Sequence, residues 1–163
     1  MHVESRSLFS MRGFPQRRYA PKRGAEVRLG IGGNQKSTLA CFWHVLNALS
    51  KNPRIRVVAT SPIYHNPPFG FLQQPWFENA TITLRTCLSL RALFALTSYL
   101  ERRFGRARKR AFENAPRTLD IDILFFGALF VNTPSLRIPH RQWANRESVL
   151  VPLLFEKSLR NPR

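Results

Sequence analysis

Residues 118–126 constrain the fold most, because this run is apolar and rich in strand-forming side chains except at Asp120 and Asp122. These two residues are the only aspartates in the 163-residue chain. In a β-strand successive side chains alternate between faces, so residues two apart share a face with their Cα atoms roughly 6.6 Å apart. The sequence therefore predicts a strand that presents two carboxylates on one face.

Paired carboxylates in this arrangement suit Mg²⁺, which takes one or two carboxylates and completes its coordination with water and substrate phosphates. Arg117 lies three residues upstream of Asp120 and adds a cation to the same stretch. Phosphoryl chemistry is the first hypothesis. The alternative is a solvent-facing strand on which the Asp-x-Asp pattern has no function, and the surrounding sequence has to decide between the two.

Composition indicates a folded protein rather than a disordered one. Apolar residues make up 44% of the chain and aromatic residues 12%, which is typical of one globular domain of this length. No apolar run approaches the roughly 20 residues that span a bilayer, and the first residues lack a secretory signal. We expect a cytoplasmic monomer with no membrane association. Cys41 and Cys87 occur without zinc-binding spacing, so free thiols are expected.

The net charge of +17 predicts a polyanionic partner, such as nucleic acid, an anionic membrane or a phosphorylated small molecule. Seven Lys or Arg residues fall in residues 1–28 and seven in residues 102–117, just before the aspartates. The second cluster is either a solvated loop or a triphosphate-binding loop. Residues 1–24 form a basic extension that reads equally as a transit-like segment, a nucleic-acid arm or an appendage packed on the surface. Residues 25–163 are predicted to form a single domain.

Hydrophobic periodicity predicts alternating strands and helices. Strands are expected at residues 26–31, 55–63, 80–85 and 118–126, with an added strand at residues 129–131. Helices are expected after Ser37 and after Ser89, the second with Leu93, Phe94, Leu96, Leu100 and Phe104 facing inward and Gly105 just past its end. The tail from Leu136 reads as a loop followed by a short helix or strand. The order βαββαβ predicts an α+β sandwich of ferredoxin-like type, with helices packed on one face of an antiparallel sheet.

Two further segments have open interpretations. Residues 30–37 nearly match a P-loop and a dinucleotide-binding glycine pattern, but both fail at Gln35, so a tight turn is the simpler interpretation and a P-loop the minor one. Residues 64–70 contain prolines that cannot join a strand ladder. This stretch and the aromatic loop after it are either a rigid wall for a flat ligand or a cover for a sheet edge.

Taken together, the motifs resemble one family, 6-hydroxymethyl-7,8-dihydropterin pyrophosphokinase of folate biosynthesis. The resemblance covers residues 29–156 and is specific because separated motifs occur in the family's order. They are Gly32-x-Asn34, Tyr64-x-x-Pro67-Pro68-x-Gly70, Gln74-Pro75-x-Phe77-x-Asn79-Ala80, Gly105-Arg106-x-Arg108, Pro116-Arg117-Thr118-Leu119-Asp120-Ile121-Asp122, Pro139-His140 and Arg146-x-x-Val149-Leu150-x-Pro152-Leu153.

The resemblance implies a ferredoxin-like fold and transfer of the pyrophosphoryl group of ATP to the pterin hydroxymethyl oxygen, releasing AMP. It implies that Asp120 and Asp122 hold two Mg²⁺ ions and that Arg106 and Arg117 are catalytic. The ATP-binding positions that it implies are Arg108, Ile123, His140 and Arg146. The pterin-binding positions that it implies are Asn66, Pro67, Pro68, Phe69, Phe77 and Asn79.

A pterin is flat, and Ser148 stands where many family members place a phenylalanine that stacks on it. The hypothesis from sequence is that Phe77 packs on one face and an aromatic side chain, Phe112 or Trp143, closes the other. Trp76 should face away from Phe77, because neighbours alternate along an extended chain.

Two alternatives to an active pyrophosphokinase stay open. A catalytically degenerate family member is one, because residues 110–115 lack the Trp-Gly that common members carry before Pro-Arg. A basic RNA-binding module on the same fold is the other. The RNA-binding module predicts an aromatic K/R-G-F/Y-x-F pattern that the sequence does not contain, so no nucleic-acid partner is expected.

Overall fold

The described part of the chain forms a seven-stranded sheet, a separate two-stranded sheet and three helices. The structure is a computed structural model that describes residues 6–105 and 116–160. The elements in chain order are β1 (Ser7–Phe9), β2 (Gln16–Arg17), β3 (Ala25–Gly33), α1 (Thr38–Lys51), β4 (Ile55–Thr60), β5 (Ile63–Asn66), β6 (Phe77–Thr86), α2 (Leu90–Phe104), β7 (Asp120–Phe126), β8 (Val131–Asn132), β9 (Arg137–Ile138) and α3 (Glu147–Arg160).

The centre of the large sheet has the strand order β4-β6-β3-β7, and all of its pairings are antiparallel. With α1 and α2 as the two crossovers, this is the βαββαβ order that the sequence predicts, and the ferredoxin-like fold class is confirmed. The local signals for α2 are confirmed as well. The Ser89 side chain accepts a hydrogen bond from the Ala92 amide, and Gly105 ends the helix at a φ of 148°.

The two faces of the sheet are covered by different helices. Ala80, Ile82 and Leu84 of β6 belong to the buried core that includes residues of α1 and α2. The alternate residues Thr81 and Thr83 point the other way and donate hydrogen bonds to the buried carboxylate of Glu156 on α3. The tail therefore forms a third helix on the face opposite α1 and α2. None of the helices within residues 6–105 and 116–160 combines the length and apolar character needed to cross a membrane.

The structure corrects three predictions from local patterns. The run 55–63 is not one strand, because β4 ends at Thr60 and β5 continues as a separate strand to Asn66, where a loop was expected. The added strand predicted at residues 129–131 is shorter and shifted, since β8 covers only Val131–Asn132 and pairs with β9 in the two-stranded sheet. The predicted inward position of Phe94 is also wrong, because 37% of this residue is exposed.

The basic N-terminal segment joins the large sheet. Its strand β1 pairs with β5, and β2 pairs with β4. Between them, Phe14 is fully buried in the core, with its ring centroid 6.1 Å from that of Phe42. Among the three interpretations of this segment, the described residues from Arg6 onward fit the packed appendage.

We expect Phe14→Ala to lower the free energy of unfolding by about 3 to 5 kcal/mol, because truncation of a fully buried phenylalanine loses apolar contacts and leaves a cavity. Urea unfolding measures the change. Tyr19→Ala, in the same segment at a residue that is 76% exposed, should change stability by less than about 0.5 kcal/mol. Equal, small effects of both substitutions would show that the segment is not part of the cooperative unit.

Candidate active site

The two aspartates lie on β7 opposite glycines of β3. In the antiparallel register Asp120 pairs with Gly32 and Asp122 pairs with Gly30. A side chain at position 32 would be obstructed, because an added Cβ would lie 2.5 Å from Asn79 Oδ1. Gly30 and Gly32 both line the cavity that opens beside the carboxylates. Gly30 and Gly32 lie within β3 rather than in a loop before a helix, so the P-loop alternative is wrong.

The electrostatics around the carboxylates favour a bound cation. Burial in the cavity and then repulsion from Asp120 raise the pKa of Asp122, whereas His140, Arg146 and Arg117 act in the opposite direction. Because 44% of the Asp122 side chain is exposed, water weakens the effect of burial, and repulsion from Asp120 is an important cause of this rise. Arg117 Nε lies 2.8 Å from Asp120 Oδ2, and His140 Nε2 lies 4.0 Å from Asp122 Oδ1. A divalent cation would relieve this repulsion and lower the pKa.

The donor set fits Mg²⁺ better than a structural metal. Within residues 6–105 and 116–160, no group of three or more His, Cys, Asp and Glu side chains is placed to hold a metal. Two carboxylates beside open space match the preference of Mg²⁺ for a few protein oxygens together with water and phosphate oxygens.

A cavity of about 330 Å³ opens beside these carboxylates. It lies on the α3 face of the sheet, and the first residues of α3 form one of its sides. The structure brings together in its lining all six residues predicted for the pterin, both predicted metal ligands and two of the predicted arginines: Asn66, Pro67, Pro68, Phe69, Phe77, Asn79, Asp120, Asp122, Arg117 and Arg146.

Hydrogen bonds and ring contacts fix the cavity wall. Asn79 Nδ2 donates to Asn66 Oδ1 at 2.7 Å, and Asn66 Nδ2 donates to the Pro67 carbonyl at 2.9 Å. Phe77 is buried, and the Arg117 guanidinium carbon lies 5.1 Å from its ring centroid. The wall is therefore a rigid, partly apolar surface with amide groups, which suits a flat heteroaromatic ligand.

The aromatic residues near the cavity are arranged only partly as expected. Trp76 stacks on His65 with ring centroids 5.2 Å apart, so the prediction that it faces away from Phe77 is confirmed. Trp143 packs its ring against Phe125 at 5.0 Å, in an edge-on geometry. This contact does not support the hypothesis that Trp143 closes the cavity.

A second cavity, of about 360 Å³, lies on the other side of Asp122. Ile123 and His140, both predicted to bind ATP, line it together with Arg137 and Arg141. Because Asp122 lines both cavities, a ligand that filled them would pass the carboxylates. Arg106, Arg108 and Phe112 lie outside the described residues.

Comparison with known proteins assigns the chain to a family. Residues 28–156 match the sequence model described as 7,8-dihydro-6-hydroxymethylpterin-pyrophosphokinase. The chain belongs to this pyrophosphokinase family. It is 50% identical over 133 residues to a protein of Helicobacter pylori named 2-amino-4-hydroxy-6-hydroxymethyldihydropteridine pyrophosphokinase, a match that covers 82% of each chain. A protein of the same name from Campylobacter jejuni is 36% identical over 125 residues, covering 77% of this chain and 78% of the relative.

Sequence reasoning gave no role to Asn34, which is buried just after β3, beside the backbone of Arg117. Its Nδ2 donates to Gln74 Oε1 at 2.9 Å and to the Pro75 carbonyl at 3.0 Å. Its Oδ1 accepts from the Arg117 amide at 2.9 Å, and its own amide donates to the Arg117 carbonyl at 2.8 Å. One side chain thus joins three loops and fixes the backbone of Arg117. The signal in the sequence that could have indicated this role is the position of the asparagine directly after a glycine-rich strand.

We expect Asn34→Ala to lower the free energy of unfolding by about 1 to 3 kcal/mol, because it leaves the partly buried Arg117 amide without this acceptor. Urea unfolding measures the loss. Asn132→Ala, at an exposed position, is the control and should have little effect. If both variants unfold alike, the cross-link does not stabilise the fold.

Proposed function

We propose that this chain transfers the pyrophosphoryl group of ATP to the hydroxymethyl oxygen of 6-hydroxymethyl-7,8-dihydropterin, giving AMP and the pterin diphosphate in folate biosynthesis. The observation that carries the proposal is that one cavity contains both the paired carboxylates of β7 and a rigid wall suited to a flat ring. Family membership and the names of the relatives point to the same reaction.

In this proposal Asp120 and Asp122 hold two Mg²⁺ ions. When bound, Mg²⁺ neutralises charge on the triphosphate oxygens and helps to orient them. The protein contributes two carboxylates fixed by a strand register, with glycines opposite them that line the same cavity.

Arg117 is proposed to stabilise charge on the transferring phosphates. A guanidinium presents a planar fork of donors that matches phosphate oxygens. Its hydrogen-bonded backbone and its contact with Asp120 hold the side chain at the carboxylate end of the cavity. Arg106, which is not among the described residues, is proposed to have the same role.

The remaining predicted residues are proposed to position the two substrates. Ile123, His140 and Arg146, with Arg108, bind ATP, whereas Phe77 packs on the pterin ring and the Asn66–Asn79 pair hydrogen-bonds its edge. Asn66, Pro67, Pro68 and Phe69 form the wall. In-line attack on phosphorus depends mainly on alignment and charge stabilisation, so no side chain is assigned as a general base.

The two alternatives are less well supported. A nucleic-acid-binding module would have no use for carboxylates that face into a cavity among arginines, and family membership favours the enzyme. A degenerate member would be expected to have lost part of the site, yet both carboxylates, Arg117 and the whole predicted wall occur together. We further propose that the enzyme acts as a monomer in the cytoplasm.

The proposal predicts AMP formation when the protein is incubated with Mg²⁺, ATP and 6-hydroxymethyl-7,8-dihydropterin. Asp120→Asn and Asp122→Asn should each lower turnover by about a hundredfold or more, because each removes a charged metal ligand. Glu26→Gln is the control, since Glu26 pairs with Arg28 and Arg85 away from this cavity. Near-normal AMP formation by an aspartate variant at saturating Mg²⁺ would contradict the metal assignment.

Arg117→Ala should lower kcat by more than it weakens ground-state binding of ATP, because its guanidinium is proposed to act mainly in the transition state. Turnover and equilibrium binding of a non-hydrolysable ATP analogue give the two quantities. Arg106→Ala should behave in the same way, and Arg56→Ala, at an exposed residue of β4, should change neither. Equal losses in kcat and affinity would make these arginines simple ATP anchors.

A further inference from the structure

The N-terminal strand carries an arginine to the rim of the candidate active site. In the antiparallel pairing of β1 with β5, Ser7 lies opposite His65 and Leu8 opposite Tyr64. One further step along this register brings Arg6 towards Asn66, where β5 ends and the proline wall begins. Arg6 lines the same cavity as Phe77. It precedes the residues that match the family model, which begin at residue 28.

The position of the Arg6 side chain is set by α3. Its Nε lies 3.2 Å from Oε1 of Glu147, the first residue of that helix. The hydroxyl of Tyr64 donates a hydrogen bond to the same oxygen. Burial and this hydrogen bond raise the pKa of Tyr64 to about 12, so the hydroxyl stays protonated and remains a donor at neutral pH. Arg6, Glu147 and Tyr64 form a cluster, here called the rim cluster, that joins β1, β5 and α3.

On the α3 side of the cavity, none of the lining residues that the structure describes has an aromatic ring. These residues are Asn145, Arg146, Glu147, Ser148 and Val149. Among the planar groups of the lining, Arg117 lies over Phe77 and pairs with Asp120. Arg117 is therefore held at the carboxylate end. Arg6 is the planar cation of the rim cluster, beside the wall.

The atom of Arg6 nearest to Glu147 is Nε, on the edge of the guanidinium, and an ion pair made through an edge N–H leaves the two faces of the group available. The Arg6 side chain can therefore keep its contact with Glu147 and stack on a flat ring at the same time. This side chain is 56% exposed, so a ligand can cover it without displacing protein. Guanidinium groups stack on aromatic rings through cation–π and planar contacts.

We propose that Arg6 is a substrate-binding residue that covers one face of the pterin ring, while Phe77 packs on the other, and that Glu147 and Tyr64 hold Arg6 in place. This inference rests on the proposed function. It makes the N-terminal extension a part of the substrate pocket rather than an accessory to it.

The test measures pterin binding by fluorescence in the presence of a non-hydrolysable ATP analogue. We expect Arg6→Ala to weaken pterin binding about three- to tenfold. Arg6→Lys keeps the positive charge but loses the planar guanidinium group, so it should bind the pterin nearly as weakly as Arg6→Ala. Affinity for the ATP analogue alone should not change. The matched control is Arg12→Ala, which removes an arginine of the same segment whose guanidinium carbon lies 4.7 Å from the Trp43 ring.

A double-mutant cycle tests the holding role of Glu147. Glu147→Gln should weaken pterin binding in the parent but have little further effect in Arg6→Ala, because Glu147 is proposed to act through Arg6. Additive losses would overturn the positioning role. Equal melting temperatures of the variants and the parent confirm that the fold is unchanged.

Three results would overturn the stacking role: Arg6→Ala binding pterin like the parent, Arg6→Lys binding like the parent, or an equal loss of affinity for the ATP analogue, which would indicate a phosphate contact. Measurements on the parent protein distinguish a failure of this inference from a failure of the proposed function. A parent that forms AMP while Arg6→Ala is unimpaired overturns only the role of Arg6. A parent that fails to bind pterin or to form AMP overturns the proposed function, and with it the inference.

Discussion

The pairing of β3 with β7 is the constraint on which the candidate site depends. Its register places Asp120 and Asp122 opposite two glycines, while the alternate residues Ile121 and Ile123 are buried in the core. A slip of one residue would move both carboxylates into the core and both isoleucines into the cavity, at a large cost in burial of charge. The same hydrophobic contacts that stabilise the sheet therefore fix the position and the direction of the carboxylates.

The loops around the sheet depend on buried polar contacts rather than on apolar packing. Asn34 joins the end of β3 to the loop before β6 and to the backbone of Arg117. On α2, Glu101 accepts a hydrogen bond from the Ile121 amide at 2.7 Å, next to the carboxylates. Each of these groups would be costly to leave unpaired in the interior, so each allows few loop arrangements. This explains how the loop residues of the site, such as Arg117, have a defined position beside the strands.

Local sequence patterns predicted the elements whose signals are local. The βαββαβ order, the Ser89 cap and the Gly105 stop all follow from side chains within a few residues of one another. The sequence does not show where β4 ends and β5 begins, because one alternating pattern runs through residues 55–63. The ends of these strands are set by their pairing partners elsewhere in the sheet. Strands as short as β1 and β2 carry no periodicity of their own. Nothing near Arg6 in sequence indicates a cavity, since that proximity depends on pairing with residues almost 60 positions away.

The few acidic residues of this basic chain that the structure describes all have specific positions. Each of the seven acidic residues in the described ranges lies in a specific contact or in the candidate site. Glu26 pairs with arginines, Glu78 with His65, Glu101 with an amide, Glu147 with Arg6 and Glu156 with two threonines, while Asp120 and Asp122 lie in the cavity. The many exposed arginines and lysines consequently have few acidic neighbours. The resulting positive field attracts polyanions. In a pocket that contains both arginines and two carboxylates, a triphosphate bound with Mg²⁺ would pair its phosphates with the arginines and its metal with the carboxylates.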